Sequence, residues 1–200
     1  MQNSSNEHLQ AIFPSLVYYK KFVDTEFEKI QAEIKPAIEQ SELGMPWPEA
    51  VETTFKFKEN NNVIDQFNMS ILKDSILKTA HNYLRSIPTK LCPEIYIESN
   101  WIAKIGHNGS MHAHTHPFSF LSGCYYYQTT GSDGNLVFEN PNLVADWLDP
   151  YGDIWPTNYF VTPSEGLMVL FPSWLRHRVD INHTNNNRWC LAFNIYHNKT

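Results

Sequence analysis

Apolar residues recur along this chain with two different periods, and the change falls near its middle. In the first half they return at steps of three and four. Phe27, Ile30, Ile34 and Ile38 form one such stripe, the spacing of a helix with one buried side. Asp24 and Thr25 stand where that helix would be capped, and Met45-Pro46-Trp47-Pro48 breaks it. Leu72, Ile76, Ala80, Tyr83 and Leu84 form a second stripe, predicting a helix from about Ser70 to Arg85. Two extended segments accompany these helices: a short strand within Ile12 to Phe22, and the alternating run Thr53 to Lys58. Both helices are read as scaffold, because an amphipathic stripe normally faces a core.

From Ile95 onward the period shortens to that of strands. Ile95 to Ile105 is rich in β-branched and aromatic residues. Further strands are predicted in the stretch Met111 to Tyr127, at Leu136 to Glu139 after the turn Gly131-Ser132-Asp133-Gly134, at Phe160-Val161-Thr162, at Leu167 to Phe171 and at Trp189 to Tyr196. Short strands with turns between them predict a closed or double-layered antiparallel sheet. The segment Pro141 to Tyr159 reads as a loop carrying Trp147, Tyr151, Trp155 and Tyr159, either a flap on the sheet or a functional loop. The expected organisation is a single domain over 1–200, with 1–91 supplying an N-terminal strand and supporting helices and 92–200 the β core.

Composition narrows the partners. The 200 residues are 42% hydrophobic and 14% aromatic, which excludes an intrinsically disordered chain. The formal net charge is −6 and no basic block occurs, so neither nucleic acid nor an anionic membrane is an expected partner. No apolar run reaches the about 18–20 residues of a membrane span, and the polar opening M-Q-N-S-S-N-E-H-L-Q has no signal or transit pattern. Cys92, Cys124 and Cys190 are odd in number and lie among apolar residues, as expected of buried thiols in a reducing, cytoplasmic setting.

Candidate chemistry sits in histidines. His112, His114 and His116 alternate, and in an extended strand all three would project to one face. Two imidazoles at i and i+2 can reach one metal, and neutral imidazole is a good ligand for iron, zinc or copper. A second half of the site is expected far along the chain. There G-L-M-V-L-F-P-S-W-L-R-H-R-V, residues 166–179, gives a buried strand, a Pro turn and His177, and Arg188 opens the last apolar run.

Histidine-x-histidine, a distant histidine and an arginine on the following strand resemble the iron(II)/2-oxoglutarate dioxygenases of the double-stranded β-helix fold. A more specific resemblance is to a small bacterial and phage family of 2-oxoglutarate/iron oxygenases, distantly like prolyl hydroxylases. It rests on His114-Thr115-His116-Pro117, on Leu121-Ser122-Gly123-Cys124-Tyr125-Tyr126, on Phe138-Glu139-Asn140-Pro141, on residues 166–179 and on R-W-C-L-A-F-N from Arg188 to Asn194. The resemblance implies a mainly β fold with flanking α-helices, a cupin-like jelly roll. It implies Fe(II) held by His114, His116 and His177, 2-oxoglutarate as cosubstrate and O2 as oxidant. Arg188 would anchor the far carboxylate of 2-oxoglutarate with help from Tyr126, with Ser122 and Cys124 on the same strand face. The implied reaction is hydroxylation of a peptide, amino acid or small metabolite, with release of succinate and CO2.

This chain departs from the family pattern twice. Asn140-Pro141-Asn142 stands where the family has D-P-R, and His116 stands where the wider superfamily has a carboxylate ligand. Two other readings remain open. In a metal-dependent cupin, His112 would replace His116 and 2-oxoglutarate would have no role. In a non-catalytic β-sandwich, the histidines would hold a structural zinc, which ordinarily takes four protein ligands. The sequence names neither the substrate nor the oligomeric state.

Overall fold

The computed structural model describes residues 14–47, 50–56, 59, 61–87, 93–142 and 156–198. In chain order the elements are β1 (Tyr18–Lys21), α1 (Asp24–Gln40), β2 (Val51–Thr53), α2 (Val63–Gln66), α3 (Ser70–Ser86), β3 (Ile95–Ile105), β4 (Met111–His114), β5 (Leu121–Gln128), β6 (Leu136–Glu139), β7 (Asn158–Val161), β8 (Leu167–Pro172), β9 (His177–Val179) and β10 (Arg188–His197). They form two antiparallel sheets. The larger has six strands in the order β1-β8-β5-β10-β3-β2, and the smaller has four in the order β4-β9-β6-β7. The strands from β3 to β10 divide between the two sheets, and this is a double-stranded β-helix, as expected from the sequence. The N-terminal part adds β1 and β2 at the two edges of the larger sheet.

Alternation explains why the larger sheet needs cover on both sides. Met168 and Leu170 of β8, Leu121 and Tyr125 of β5, Leu191 and Phe193 of β10 and Ile102 of β3 belong to one buried cluster, shared with Ile30, Ile34, Leu72, Ile76 and Ala80 of the helices. Their neighbours Val169, Phe171, Tyr126, Cys190, Trp101 and Ala103 belong to a second cluster, shared with Leu136 and Phe138 of the smaller sheet. The helices therefore cover the outer face, and the second sheet covers the inner one.

The helices dock partly through each other. Met69 precedes α3 and offers no side-chain cap. Instead Glu33 of α1 reaches across, its carboxylate accepting from Ile71 N at 3.0 Å and Leu72 N at 2.9 Å. A carboxylate there satisfies orphan amides and opposes the positive end of the helix dipole. At α1 the expected cap at Asp24 is not formed: the N-cap residue is Val23, without a side-chain bond, and Asp24 and Glu26 lie in the first turn.

Three strands differ from the sequence expectation, each for a local reason. The first is confined to Tyr18–Lys21, and residues 12 and 13 lie outside the described ones. The second stops at Thr53, because its hydroxyl donates to Ile102 O at 2.6 Å and accepts from Phe55 N at 3.0 Å, closing a turn. The histidine stretch is interrupted after His114, and Phe118 has a left-handed φ of 71°. The strand β9 was not separated from its turn in the sequence. Of the predicted aromatic loop, Trp147, Tyr151 and Trp155 lie outside the described residues, as does Cys92, and Tyr159 is an exposed residue of β7. Among the described residues no helix is long and apolar enough to cross a membrane.

Gly123 shows how close the outer packing is. A Cβ there would lie 2.6 Å from both Phe193 Cζ and Val169 O, so neither the ring nor the backbone can accept it unchanged. Gly123→Ala is expected to destabilise the fold by about 1–3 kcal/mol through overpacking, and Leu72→Ala by about 2–5 kcal/mol through an unfilled cavity. Urea midpoints for the two variants measure this. An unchanged midpoint for Leu72→Ala would mean that α3 is not seated on the sheet.

Candidate metal and cosubstrate site

The inner face of the larger sheet and the smaller sheet enclose a cavity of about 500 Å³, within the usual range for small-molecule sites. Three histidines meet in its wall. His114 ends β4 and His177 opens β9, and the two are direct partners across that ladder, with ring centroids 4.4 Å apart. His116 arrives differently. It lies beyond the strand, where its backbone N–H donates to Ser173 O at 3.0 Å. Its ring stacks on His177 at 5.1 Å and 11° and lies 5.9 Å from Trp101. Alternation along one extended strand thus accounts for His114 but not for His116. One potential ligand atom from each of the three lies within 4.8 Å of the others. His112, the other candidate, is exposed at the pocket wall, 5.8 Å from His114 between centroids, and is not part of that group.

Protonation suits metal binding. His177 is pushed down to about 3 by burial and then by its neighbours His114 and His116, against a backbone hydrogen bond to Leu175 that raises it. His116 is pushed down to about 4 by burial and by His114, and burial is also the largest cause lowering His114. All three rings are therefore neutral near pH 7, the form that ligates. Two tautomers are fixed by carbonyls that can only accept. His177 Nδ1 lies 2.8 Å from Leu175 O, and His114 Nδ1 lies 2.8 Å from His112 O. Each Nδ1 carries the proton and each Nε2 keeps its lone pair, the usual support for a ligating histidine. His116 Nε2 and His177 Nε2 are 3.2 Å apart. Two nitrogens about 2.1 Å from one metal at a right angle would be about 3.0 Å apart, so the donor set fits a divalent ion.

The other end of the cavity holds one buried cation. Arg188 opens β10 and is only 3% exposed. Its Nη1 donates to Gly134 O at 2.8 Å, while its Nε has no partner. Gly134 has φ +95°, and a Cβ there would lie 2.4 Å from Asp180 O, so the carbonyl that receives Arg188 depends on glycine. The guanidinium carbon stands 5.5 Å from the Tyr126 ring centroid, and the buried Tyr126 hydroxyl also has no partner. Burial opposes the Arg188 charge, yet the net direction is upward, and Asp133 is the one carboxylate among the groups that raise it. Burial pushes the Cys124 thiol up to about 12 and the Tyr126 phenol well above its ordinary value. Both are neutral near pH 7, leaving the buried Asp133 carboxylate as the counter-charge. Arg is the side chain suited to a planar, bidentate carboxylate.

Of the remaining sequence candidates, Cys124 lines the cavity. Ser122 is buried on the same strand face, but its hydroxyl is held by Asn194 Oδ1 at 2.8 Å and Ser173 Oγ at 2.7 Å and is not in the cavity wall. Asn194 Nδ2 continues the network to Ser99 Oγ at 3.1 Å. The sequence reading did not assign roles to Trp101 and Asn194, although both were within its reach. Trp101 alternates with Ser99 and Ala103, and Asn194 lies three two-residue steps from Arg188, so β periodicity places both inward. The carbonyl of Gly134 carries no sequence signal beyond its turn.

Comparison with known proteins agrees with the fold. The chain superposes on HygX of Streptomyces hygroscopicus, solved with nickel and 2-oxoglutarate bound, with TM-score 0.64 and 11% identity over 91% of this chain and 83% of that one. For a Pseudomonas putida prolyl-4-hydroxylase the values are 0.60 and 15%, over 92% and 94%. For a 2OG-Fe(II) oxygenase family oxidoreductase of Burkholderia pseudomallei they are 0.60 and 14%, over 83% and 77%. None of the curated proteins matches the sequence. Residues 99–194 match the model of a family described as "Putative 2OG-Fe(II) oxygenase". That stretch contains the three clustered histidines, Tyr126 and Arg188, and over it the chain is similar to that family.

Proposed function

We propose that the protein is an Fe(II)- and 2-oxoglutarate-dependent dioxygenase that hydroxylates its substrate. The observation that carries this is the pairing, in one cavity, of three neutral histidines with a buried arginine whose Nε is unpartnered. His114, His116 and His177 would hold the iron, and Arg188 with the Tyr126 hydroxyl would receive the far carboxylate of 2-oxoglutarate. Bound iron would supply oxygen activation, coupling decarboxylation of 2-oxoglutarate to succinate and CO2 with oxidation of the substrate.

The residues of the chain do the rest. The carbonyls of Leu175 and His112 hold two of the rings in ligating tautomers. Gly134 O fixes one arm of the guanidinium. Apolar walls exclude water, which strengthens the charge pairing at Arg188. An uncompensated carboxylate in such a site would be costly. The three-histidine cluster leaves positions for cosubstrate and oxygen, as a closed four-ligand structural zinc site would not.

Anaerobic titration of the metal-free protein with Fe(II) should show one tight site, and His177→Ala should weaken it by at least about 100-fold, beyond the loss typical of an outer partner. Wild-type affinity in that variant would remove the cluster as the metal site. The metal-loaded protein, supplied with O2 and 2-oxoglutarate, should release succinate even without its substrate, at a slow rate.

Arg188→Met should spare iron affinity while weakening 2-oxoglutarate binding by two to three and a half decades, corresponding to about 3–5 kcal/mol for one lost member of a buried charged pair. Calorimetry on the anaerobic, metal-loaded variant measures it. An unchanged dissociation constant would remove Arg188 as the anchor and favour a metal-dependent oxidase that does not use 2-oxoglutarate.

A further inference from the structure

The part of the cavity not assigned to metal or cosubstrate has a marked asymmetry. One wall is aromatic. Trp101 lies 5.9 Å from His116 between ring centroids, Phe55 meets Trp101 edge-on at 5.2 Å, and Trp47 stacks on Phe55 at 5.4 Å and 22°. The three side chains, drawn from β3 and from the segments flanking β2, run as a continuous series outward from a histidine of the cluster. All three line the cavity.

Charge is the second feature. Among the described residues lining the cavity, Arg188 is the only Asp, Glu, Lys or Arg. Among these described lining residues no carboxylate stands ready to pair with a substrate ammonium, and an anionic substrate would compete for Arg188. The polar side chains Asn194, Ser99 and Ser119 that line the cavity are uncharged, and the buried Ser119 hydroxyl has no partner. An unsatisfied hydroxyl at a pocket wall favours a ligand that brings a neutral hydrogen-bonding group.

We infer that the second substrate is a small, uncharged molecule with a flat ring, laid against the Trp101–Phe55–Trp47 wall beside the histidine cluster, with a neutral donor or acceptor directed to Ser119. This rests on the dioxygenase reading for the place of the metal and the cosubstrate. A cavity of about 500 Å³ accommodates a molecule of that kind with its cosubstrate. A flat ring gains contact area and offset stacking from such a wall at little cost in conformational freedom, whereas a charged group brought there would be desolvated with nothing to pair with.

The test uses three probes of one shape and different charge: indole-3-acetamide, indole-3-acetate and tryptamine. Each is titrated calorimetrically into the anaerobic protein loaded with Fe(II) and saturating 2-oxoglutarate. Indole-3-acetamide should bind at least about tenfold more tightly than either charged probe. Phe55→Ala should weaken it about tenfold while leaving the affinity for 2-oxoglutarate unchanged, which also shows that the variant is folded. Phe55→Tyr should restore binding. Equal or tighter binding of a charged probe, no binding of any probe by protein that binds 2-oxoglutarate, or wild-type affinity in Phe55→Ala would each overturn the inference. Failure to bind 2-oxoglutarate at all would count against the dioxygenase reading instead. The probes titrated into the metal-free protein would then decide the wall separately.

Discussion

A sheet whose strands are apolar on both faces cannot stand alone in water, and this constraint organises the molecule. Leu191 and Phe193 of β10 face the helices, while Cys190 and Ala192 face the smaller sheet. Helices suffice to cover the outer side, because they need present only one stripe each. The inner side is covered by a second sheet, and two twisted sheets do not lie flush over their whole length. The functional cavity occupies the space between them, so it is an outcome of the same packing that holds the fold.

Polar groups in that space are expensive unless satisfied, and two solutions occur a few residues apart on the same strands. Ser122, Ser173, Asn194 and Ser99 satisfy one another in a closed network. Such a network ties β5 and β10 to the turn that leads into β9, and thereby supports His177 and, through Ser173 O, the backbone of His116. Around Arg188 the accounting is left open: its Nε and the Tyr126 hydroxyl have no protein partner. Native interiors rarely tolerate that without a ligand or ordered water. The difference separates a structural polar cluster from a receiving one, though both are built from serine-, tyrosine- and arginine-bearing strands of similar sequence texture.

Much of this was legible in the chain because its warrant is periodic. The stripe Leu72, Ile76, Ala80, Tyr83, Leu84 is fully buried, and Ile95–Ile105 and Leu136–Glu139 are strands over the same residues that β-branched and aromatic content and a preceding turn indicated. Legibility failed where side chains and turns override period. Thr53 ends its strand through its own hydroxyl, and α3 takes its cap from Glu33, thirty-odd residues upstream and on another helix. His116 is the instructive case. Its spacing from His114 suggested a shared strand face, yet the strand stops at His114 and the ring enters the cluster from a turn held by Ser173. The motif resemblance pointed to His116, whereas the periodic argument could not separate it from His112.

The turn from Gly131 to Gly134 ties these threads together through charge. A superfamily site with one carboxylate ligand has an anion beside the metal; in the proposed complex three neutral histidines would take that place. In the proposed complex a divalent cation and a dianionic cosubstrate cancel each other, leaving the Arg188 guanidinium as an uncompensated charge inside an apolar shell. Asp133 provides the missing anion. It is wholly buried and is held by the Thr129 hydroxyl at 2.5 Å and the Thr130 amide at 2.7 Å. It sits next to the glycine whose carbonyl binds Arg188. A charge absent from the metal ligands and present at the far end of the cosubstrate would keep the interior neutral and would leave a bound metal more electropositive. Electrostatics of this kind acts over the whole cavity, and in the proposed complex it would give a buried aspartate in a surface-type turn sequence a counter-charge to face.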